Sequence, residues 1–454
     1  MENWERRLIP LSWKYRIRCA SLDLTSHSVL VWISALLRFT AGRLAWNLRP
    51  HQSFVILSRA HLVLLRVWGQ SRAISWLNRK IETALAKACR REGLVGSLSL
   101  ASARGALESA LYAGIVLKAP CLQAGNVVER GVLLLKYSDR IAAFHQSVDM
   151  EALLRHYHLV LEPSWTGYAS LDLLAFARYR QHTIVLLSPF QGDREFLMSL
   201  GSNLAPIDLG PGDWVDPRLF RPLEGEPKRY DMVMIARWNY TKRHDLLLGA
   251  LRQIADPTFR VALVAMNLAQ DSDRQGVLMA IESSGLRPRI DVFEDLAPAD
   301  VNRVLNQSKV NVLLSSQEGG NRGLFEGFFA GVPGVAFRNH IGVRTEHFRP
   351  ETGRLIERAG LAGELLYFRE YWSVFNPRPW ALSHIAPEIS TRRLNEFLKD
   401  QSLKRGEPWT KNIVMKCNRP DLRYYPDDAA SQGLPAMEDL ITQFLRGRVA
   451  GPLA

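Results

Sequence analysis

Two glutamates, Glu318 and Glu326, occur at a spacing that suits hydrogen bonding to neighbouring hydroxyl groups. Val310, Val312, Leu313 and Leu314 are typical of a buried strand, and Glu318 follows this strand in a loop with Gly319 and Gly320. Glu326 lies about one turn into the helix predicted next, so both carboxylates could face one pocket. The glycines allow close approach of a ligand, and amide groups at a helix start favour a pyrophosphate. The spacing equally fits an ordinary turn with an exposed glutamate at each position.

Two cations occupy a second segment, where a predicted strand over 230–236 precedes a predicted helix over 241–255. Arg237 lies at the carboxyl end of this strand, and Lys242 lies at the start of the helix. Such a pair can converge on one diphosphate, because the guanidinium gives geometry and the ammonium gives charge. Arg243 is equally basic, and cations are common near helix starts, so this spacing alone does not assign the pair to a ligand.

The elements that must position these residues alternate between short apolar runs and helical stretches from about residue 113 onward. This alternation predicts parallel sheets covered by helices. A segment dense in Gly, Pro and Asp at 208–222 divides the pattern, so we expect two α/β lobes with a cleft between them. The predicted strands are 115–118, 131–137, 158–161, 183–187, 230–236, 260–265, 289–293, 309–314 and 334–337. The predicted helices are 141–157, 170–180, 241–255, 272–284, 298–307 and 322–331.

The first of these halves offers less chemistry. His145, Ser164, Trp165 and Tyr168 follow or flank its predicted strands and could line a binding site for an acceptor. A single His or Trp in such a place more often packs in the core than takes part in chemistry. Both interpretations stay open at the level of the sequence.

Together, the motifs resemble family 4 retaining glycosyltransferases, which are group 1 type enzymes with the GT-B fold. The shared order is strand-Arg-x4-Lys-helix, then strand-Ser-x-x-Glu-Gly-x6-Glu-helix-Gly-Val-Pro, then the run Thr352 to Ile356. The resemblance covers 180–356 well, 113–180 in outline, and 1–110 not at all. It implies two Rossmann-like lobes with a cleft between them, preceded here by a helical N-terminal extension.

The resemblance also implies a role for each motif residue. Glu318 would hold the hydroxyl groups of the donor sugar, and Glu326 would hold the ribose hydroxyls. Arg237 and Lys242 would hold the diphosphate. The backbone amide groups that would help to hold the sugar and phosphate are those of Gly319, Gly320 and Asn321.

The implied reaction is transfer from a nucleotide sugar, with the nucleoside diphosphate leaving on the face that the acceptor attacks and with retention at the anomeric carbon. The protein would contribute positioning and stabilisation of the leaving pyrophosphate, so Glu318, Arg237 and Lys242 are the predicted catalytic residues. Fixed cations can stabilise this charge without a divalent ion. We therefore expect a metal-independent hexosyltransferase that uses no cofactor.

The N-terminal quarter of the chain carries most of its positive charge. Residues 1–120 contain eighteen Lys or Arg and six Asp or Glu, a net charge of +12 out of +13 for the whole chain. Six of the twelve tryptophans lie there, interleaved with aliphatic residues. This mixture suits an anionic membrane surface, where indole rings lie at headgroup level. A helical subdomain with solvated cations explains it equally well.

No segment is expected to cross a membrane, because the apolar run 28–37 is ended by Arg38. The first residues lack the layout of a signal peptide, so secretion is not expected. The four cysteines are scattered singly, which fits a reducing compartment. The sequence thus predicts a cytoplasmic protein, peripheral on the inner face of the membrane.

The domain prediction has four parts. They are a basic, Trp-rich helical extension (1–110), an acceptor-side lobe with its linker (111–222), a donor-side lobe (223–375) and a C-terminal extension with a closing helix over 438–446 (376–454).

The predicted function is sugar transfer in polysaccharide biosynthesis, to a glycan or a lipid-linked acceptor. The expected partners are a nucleotide-sugar donor, this acceptor and an anionic membrane surface reached through residues 1–105, with no nucleic acid. One alternative is a hydrolase or phosphorylase of the same fold. Another is a non-catalytic protein that binds membranes or nucleic acid through the basic segment.

Overall fold

Four helices begin the described part of the chain. The computed structural model describes residues 11–90, 113–267, 273–418, 422–425 and 429–445. Residues 1–10 and 91–110 of the predicted extension lie outside the described residues, and so does Arg446 of the predicted closing helix. The four helices are α1 (Leu11–Thr25), α2 (Ser28–Ala45), α3 (Pro50–Leu65) and α4 (Arg72–Arg90).

The chain forms two compact units, and the N-terminal helices are divided between them. The first unit combines Met1–His27 with Val215–Ala386, and the second combines Ser28–Trp214 with Pro387–Ala454. This division differs from the predicted extension over 1–110. The reason is packing, since Tyr15 of α1 is buried in the core of the first unit. The helices α2 to α4 contribute to the core of the second unit instead.

The second unit contains a five-stranded sheet in the order β1-β4-β5-β6-β7. Strands β4 to β7 are parallel, whereas β1 is antiparallel to β4. Only twelve residues connect these two strands. They form a hairpin of β2 and β3, which is too short for the helical crossover that a parallel neighbour needs. The strands are β1 (Gly114–Lys118), β2 (Cys121–Gln123), β3 (Asn126–Glu129), β4 (Gly131–Lys136), β5 (Tyr157–Glu162), β6 (Ile184–Leu187) and β7 (Leu204–Ile207).

The helices of this sheet are shorter than predicted. The helix expected over 141–157 is two helices, because Asp149 begins a new one by accepting a hydrogen bond from the amide of Ala152 at 3.1 Å. The helix expected over 170–180 continues after Leu174 as a 3₁₀ turn. The observed helices are α5 (Ser138–Ser147), α6 (Met150–His156), α7 (Leu171–Leu174) and α8 (Gln191–Ser199).

The first unit contains a six-stranded, fully parallel sheet in the order β10-β9-β8-β11-β12-β13. Five of its strands match the predicted ones, and the sixth follows the run that begins at Thr352. The strands are β8 (Met232–Ile235), β9 (Val261–Ala265), β10 (Ile290–Glu294), β11 (Asn311–Leu313), β12 (Gly334–Phe337) and β13 (Gly353–Ile356). The helices are α9 (His244–Gln253), α10 (Arg274–Ser283), α11 (Pro298–Asn306), α12 (Arg322–Phe329), α13 (Leu361–Tyr371) and α14 (Pro377–His384).

The C-terminal part of the chain completes the second unit. Its elements are α15 (Pro387–Lys404), β14 (Lys416–Asn418), β15 (Leu422–Tyr424) and α16 (Met437–Phe444). The last of these is the predicted closing helix, and its residues Leu440 and Ile441 are buried in the core of the second unit.

Helix α2 is the one described helix that is long and apolar enough to cross a membrane, by length and composition alone. Its 18 residues have a mean hydropathy of 1.3, and 17% of this stretch is buried. Arg38 ends the apolar run in the sequence but does not end the helix, which continues to Ala45. A charged side chain does not interrupt the backbone hydrogen bonds of a helix, and the Arg38 guanidinium donates back to the Ser34 carbonyl at 3.0 Å.

The predicted fold class is confirmed. Each unit is built on a largely or fully parallel sheet covered by helices, and helices precede the first sheet strand along the chain.

Candidate functional site

A loop at the carboxyl end of β11 holds Glu318 in a buried position. The backbone amide of Glu318 donates to the Ile341 carbonyl at 2.8 Å, and the Ser315 hydroxyl donates to its Oε1 at 2.7 Å. The side chain is nearly inaccessible, at 6% exposure. A buried carboxylate needs polar partners to be stable in its charged form. The hydrogen bond from Ser315 and one nearby cation supply them.

That cation is Lys242, whose Nζ lies 2.5 Å from Glu318 Oε1. The sequence predicts that Lys242 begins a helix, but in the structure it ends a short 3₁₀ turn, Tyr240–Lys242, that precedes α9. Asn239 caps this turn by accepting from the Thr241 amide at 3.0 Å. The structure thus brings together two predicted catalytic residues from different segments of the chain.

The charge of Glu318 follows from this environment. Burial alone would raise its pKa, but Lys242 and the hydrogen bond from Ser315 outweigh burial, and the pKa is lowered. The carboxyl group is therefore ionised at neutral pH. An ionised carboxylate accepts hydrogen bonds and donates none, which suits a ligand with hydroxyl groups.

His340 is a member of this site that the sequence analysis missed. Burial lowers its pKa to about 4, so the ring is neutral at neutral pH. Its Nδ1 accepts from the Val343 amide at 3.2 Å, which leaves the proton on Nε2, 3.5 Å from Ser315 Oγ. The ring thus supports the serine that contacts Glu318. No spacing pattern links position 340 to position 318, so the sequence carries no signal for this contact.

Glu326 is also buried, at 4% exposure, one turn into α12. The Arg322 guanidinium lies one turn earlier on the same helix and donates to Glu326 Oε1 at 2.6 Å. The alternative interpretation, in which Glu318 and Glu326 are exposed turn residues, is therefore wrong. Their assignment to sugar and ribose hydroxyls stays a prediction.

The glycine loop before α12 has the backbone form that its sequence requires. Gly320 has φ +94°, which favours glycine over any residue with a Cβ atom. Asn321 caps α12 by accepting from the Leu324 amide at 2.8 Å, so this amide is not available to an anion. The amides of Gly319 and Gly320 donate to no acceptor among the described residues. The cap uses the side chain of Asn321 and not its backbone amide, so it does not engage any of the three predicted backbone donors.

The other cations of the segment differ in their surroundings. Arg237 is exposed and lies two residues after the end of β8, as predicted. Arg243 is buried and held by two carboxylates, Asp23 of α1 at 2.7 Å and Asp245 at 2.8 Å. Arg243 is therefore a structural residue, and Arg237 and Lys242 are the cations of this segment that remain candidates for a diphosphate.

Helix α1 packs against the turn that holds Lys242. The Asp245 amide donates to the Tyr15 hydroxyl at 3.0 Å. Arg18 lies over the Tyr240 ring at 4.3 Å and pairs with Asp273 at 2.6 Å. Residues from a segment outside the shared motifs thus position the turn.

Two of the four predicted acceptor-side residues lie in the core of the second unit. His145 is 2% exposed, and its Nε2 lies 2.7 Å from the Tyr179 hydroxyl. Tyr168 is equally buried, and its hydroxyl donates to the Leu187 carbonyl. The prediction that these two side chains line a binding site is wrong for this structure, because neither reaches the surface.

The other two acceptor-side candidates are accessible. Trp165 is 47% exposed, and Ser164 is half-buried with φ +61°. Ser164 Oγ donates to the Glu162 carbonyl at 3.3 Å. Both residues follow β5 at the carboxyl edge of its sheet, which is the edge where α/β sheets bind ligands.

A buried charge cluster lies at the same edge of the second unit and was not predicted. Glu162, the last residue of β5, contacts Lys136 at 3.1 Å and Lys416 at 3.5 Å. Burial lowers the pKa of Lys416 to about 8, and its ammonium group lies 3.8 Å from the centre of the Trp214 ring. The two lysines lie 280 positions apart in the sequence, so only the tertiary structure brings them close together.

The first unit has the strand order of a Rossmann-type α/β domain, and Arg237 and Glu318 follow the carboxyl ends of two adjacent strands. Residues 216–360, which contain the candidate site, match the family model described as glycosyl transferases group 1. This part of the chain is similar to group 1 glycosyltransferases. No curated protein sequence matches the chain.

Solved structures show a weaker likeness over a larger part of the chain. HepE from Anabaena in complex with UDP is 15% identical, with a TM-score of 0.48 over 59% of this chain and 78% of HepE. Sucrose-phosphate synthase from Thermosynechococcus elongatus is also 15% identical, with a TM-score of 0.49 over 60% of this chain and 73% of the synthase. At these values the likeness does not define an activity.

Proposed function

We propose that this chain is a retaining glycosyltransferase that moves a sugar from a nucleotide diphosphate donor to a glycan or lipid-linked acceptor. The observation that carries the proposal is the ion pair of Lys242 with the buried Glu318, inside the part of the chain that matches group 1 glycosyltransferases. A carboxylate for sugar hydroxyls next to a cation for a phosphate is the combination that a sugar diphosphate requires.

In the proposed reaction, the bond between the anomeric carbon and the diphosphate oxygen breaks as the acceptor oxygen bonds to the same face of the sugar. The acceptor proton passes to the leaving diphosphate. Lys242 and Arg237 stabilise the negative charge that develops on the diphosphate, and Glu318 holds the sugar in position. Glu326 holds the ribose hydroxyls. These residues act without a divalent ion.

Thermal stabilisation by nucleotides tests the donor site. UDP, GDP and ADP are each added to the full chain, because a ligand that binds the native state raises its melting temperature. We expect one of them to give a shift that Lys242→Ala and Glu326→Ala abolish. The exposed Arg252 of α9 and Glu282 of α10 provide matched controls, and Arg252→Ala and Glu282→Ala should keep the shift. No shift with any nucleotide or nucleotide sugar would contradict the proposal.

Product analysis tests the reaction class. We expect the transferred sugar to keep the anomeric configuration of the donor, which proton NMR of the first product reads directly. Activity should persist in EDTA. Release of free sugar in the absence of acceptor, at the rate seen with acceptor, would favour a hydrolase of the same fold instead.

The proposed location is the cytoplasmic face of the membrane, with the basic N-terminal segment as the contact. Its support is the net charge of +12 in residues 1–120. We expect the full chain to sediment with membranes and to be released by high salt, since electrostatic attraction to anionic lipid is screened. A chain found only in the soluble fraction at low salt would contradict this location.

A further inference from the structure

A groove on the second unit combines cations with aromatic side chains. It has a volume of about 590 Å³ and is lined by residues of α2 and α4. Phe39 and Arg43 come from α2. The side chains of α4 that supply charge or an aromatic ring are Trp76, Lys80, Lys87 and Arg90. We call this feature the α2–α4 groove.

The α2–α4 groove has a strongly positive lining. It has four cations and, among the described residues, no lining carboxylate. The Lys80 ammonium lies 5.9 Å from the Trp76 ring centre, and that of Lys87 lies 5.9 Å from the Trp46 ring centre. Like charges around one groove repel each other, so a bound anion would lower their energy. The groove therefore has the charge and the volume for a phosphate group.

An exposed apolar stripe runs along α2 beside the groove. Ile33, Leu37 and Leu44 are 43%, 67% and 76% exposed. Their spacing of four and seven residues places them on one face of the helix. Arg43 of the groove immediately precedes Leu44, and consecutive residues lie about 100° apart around a helix, so the groove borders the stripe.

We propose that the α2–α4 groove binds the phosphate groups of anionic membrane lipids while the apolar stripe of α2 enters the edge of the bilayer. Two properties of this surface favour a lipid over a soluble anion as the ligand. Its cations attract phosphate groups, and the neighbouring exposed aliphatic side chains favour contact with acyl chains. Trp76, which is 48% exposed in the groove, suits the interface between them. The inference rests on the proposed membrane location but requires no transferase activity.

Vesicle flotation of the full chain tests this proposal. The vesicles contain phosphatidylcholine alone or phosphatidylcholine with phosphatidylglycerol, at about 0.15 M salt. We expect binding to the anionic vesicles only. The variant Arg43→Gln/Lys80→Gln/Lys87→Gln should lower the partition coefficient on the order of 100-fold, or about 1 kcal/mol for each cation.

A matched variant removes the same charge elsewhere on the second unit. Arg59, Arg155 and Lys399 are exposed cations outside the groove lining, and their triple change to Gln should alter partitioning by less than about threefold. The pair Leu37→Ser/Leu44→Ser should weaken binding while keeping every charge. Circular dichroism and nucleotide-induced stabilisation on the same proteins confirm the fold and report on the donor site separately.

Equal loss of binding in the two charge variants would overturn the proposal, because the groove would then act only through net charge. Equal binding to neutral vesicles would also overturn it. Displacement from vesicles by inorganic pyrophosphate would identify a site for a soluble phosphate. Tighter, groove-dependent binding of a single-stranded oligonucleotide would identify a nucleic-acid site. Any of these results with an intact nucleotide shift leaves the proposed donor site in place.

Discussion

Among single residues, the pair of Lys242 and Glu318 controls the charge of the candidate donor site. Each side chain is largely buried, so each depends on the other for compensation of its charge. The Ser315 hydroxyl donates to the carboxylate, and His340 contacts this hydroxyl in turn. An ionised carboxylate held beside a cation suits the sugar diphosphate of the proposed reaction.

Removal of Lys242 is expected to cost more stability than removal of both charges. Lys242→Ala leaves a buried, uncompensated carboxylate and should lower the free energy of unfolding by about 3 kcal/mol. The double variant Lys242→Ala/Glu318→Gln should recover at least about 1 kcal/mol of this loss. Urea unfolding of the four proteins in the cycle measures the coupling. Additive losses would show that the two side chains do not depend on each other.

Within the first unit, α1 supports the donor site although it lies far from it in sequence. Its Asp23 forms ion pairs with Arg243 at 2.7 Å and Arg358 at 2.8 Å. Its Tyr15 hydroxyl accepts a hydrogen bond from the Asp245 amide. These contacts surround the turn that ends at Lys242. Helix α1 thus helps to position the candidate donor site.

Tyr15→Phe should weaken nucleotide binding as well as stability. The change leaves the partly buried Asp245 amide without its acceptor and should cost about 1 to 2 kcal/mol of unfolding free energy. The dissociation constant of the nucleoside diphosphate, measured by calorimetry, should rise about threefold or more. Ile254→Val, in the same core but at the far end of α9, should cost a similar free energy and leave this constant unchanged. Unchanged affinity in Tyr15→Phe would limit α1 to a stabilising role.

The edge of the sheet near β13 depends on one glycine. Gly353 has φ +150°, and a Cβ atom there would lie 2.0 Å from the Gly334 carbonyl oxygen of β12. Gly353→Ala should therefore destabilise the first unit by at least about 3 kcal/mol, because backbone cannot move aside as a side chain can. Gly363 lies within α13 with open space around it, and Gly363→Ala should raise stability by about 0.5 to 1 kcal/mol. Thermal melting compares the two, and a Gly353→Ala protein as stable as the wild type would contradict the steric argument.

Across the whole molecule, buried neutral histidines make stability depend on pH. The pKa of both His244 and His340 is lowered to about 4, mainly by burial and in smaller part by the nearby Lys242. An unfolded histidine titrates near pH 6.5, so between about pH 6.5 and 4 the unfolded chain binds protons that the folded chain does not. Stability is therefore complete above this window and is lost as the pH falls through it.

Each buried histidine should contribute about 1.4 kcal/mol per pH unit within this window. Urea unfolding at successive pH values measures the slope. His340→Asn keeps an acceptor for the Val343 amide. It should reduce the slope by the contribution of one histidine. His27→Asn changes an exposed residue and should leave it unchanged. An unaltered slope in His340→Asn would show that this ring is protonated in the folded chain.

Local patterns in the sequence determined the alternation of strands and helices and the places of Arg237, Glu318 and Glu326 relative to them. Periodicity and turn residues act over a few positions, so strands such as β8 and β12 could be predicted from their own residues. The boundaries of α5 and α6 could not, since the cap at Asp149 interrupts a continuous apolar pattern. The composition also located the excess positive charge in the first quarter of the chain.

Only the tertiary structure decided which of these residues meet. Lys242 and Glu318 lie 76 positions apart, and Tyr15 and Asp245 lie 230 apart, so their contacts depend on chain packing and not on local spacing. The same packing buried His145 and placed α1 in a different unit from the helices that follow it. Burial and long-range contact are properties of the folded core, whose cooperative packing has no counterpart in the pattern of one segment.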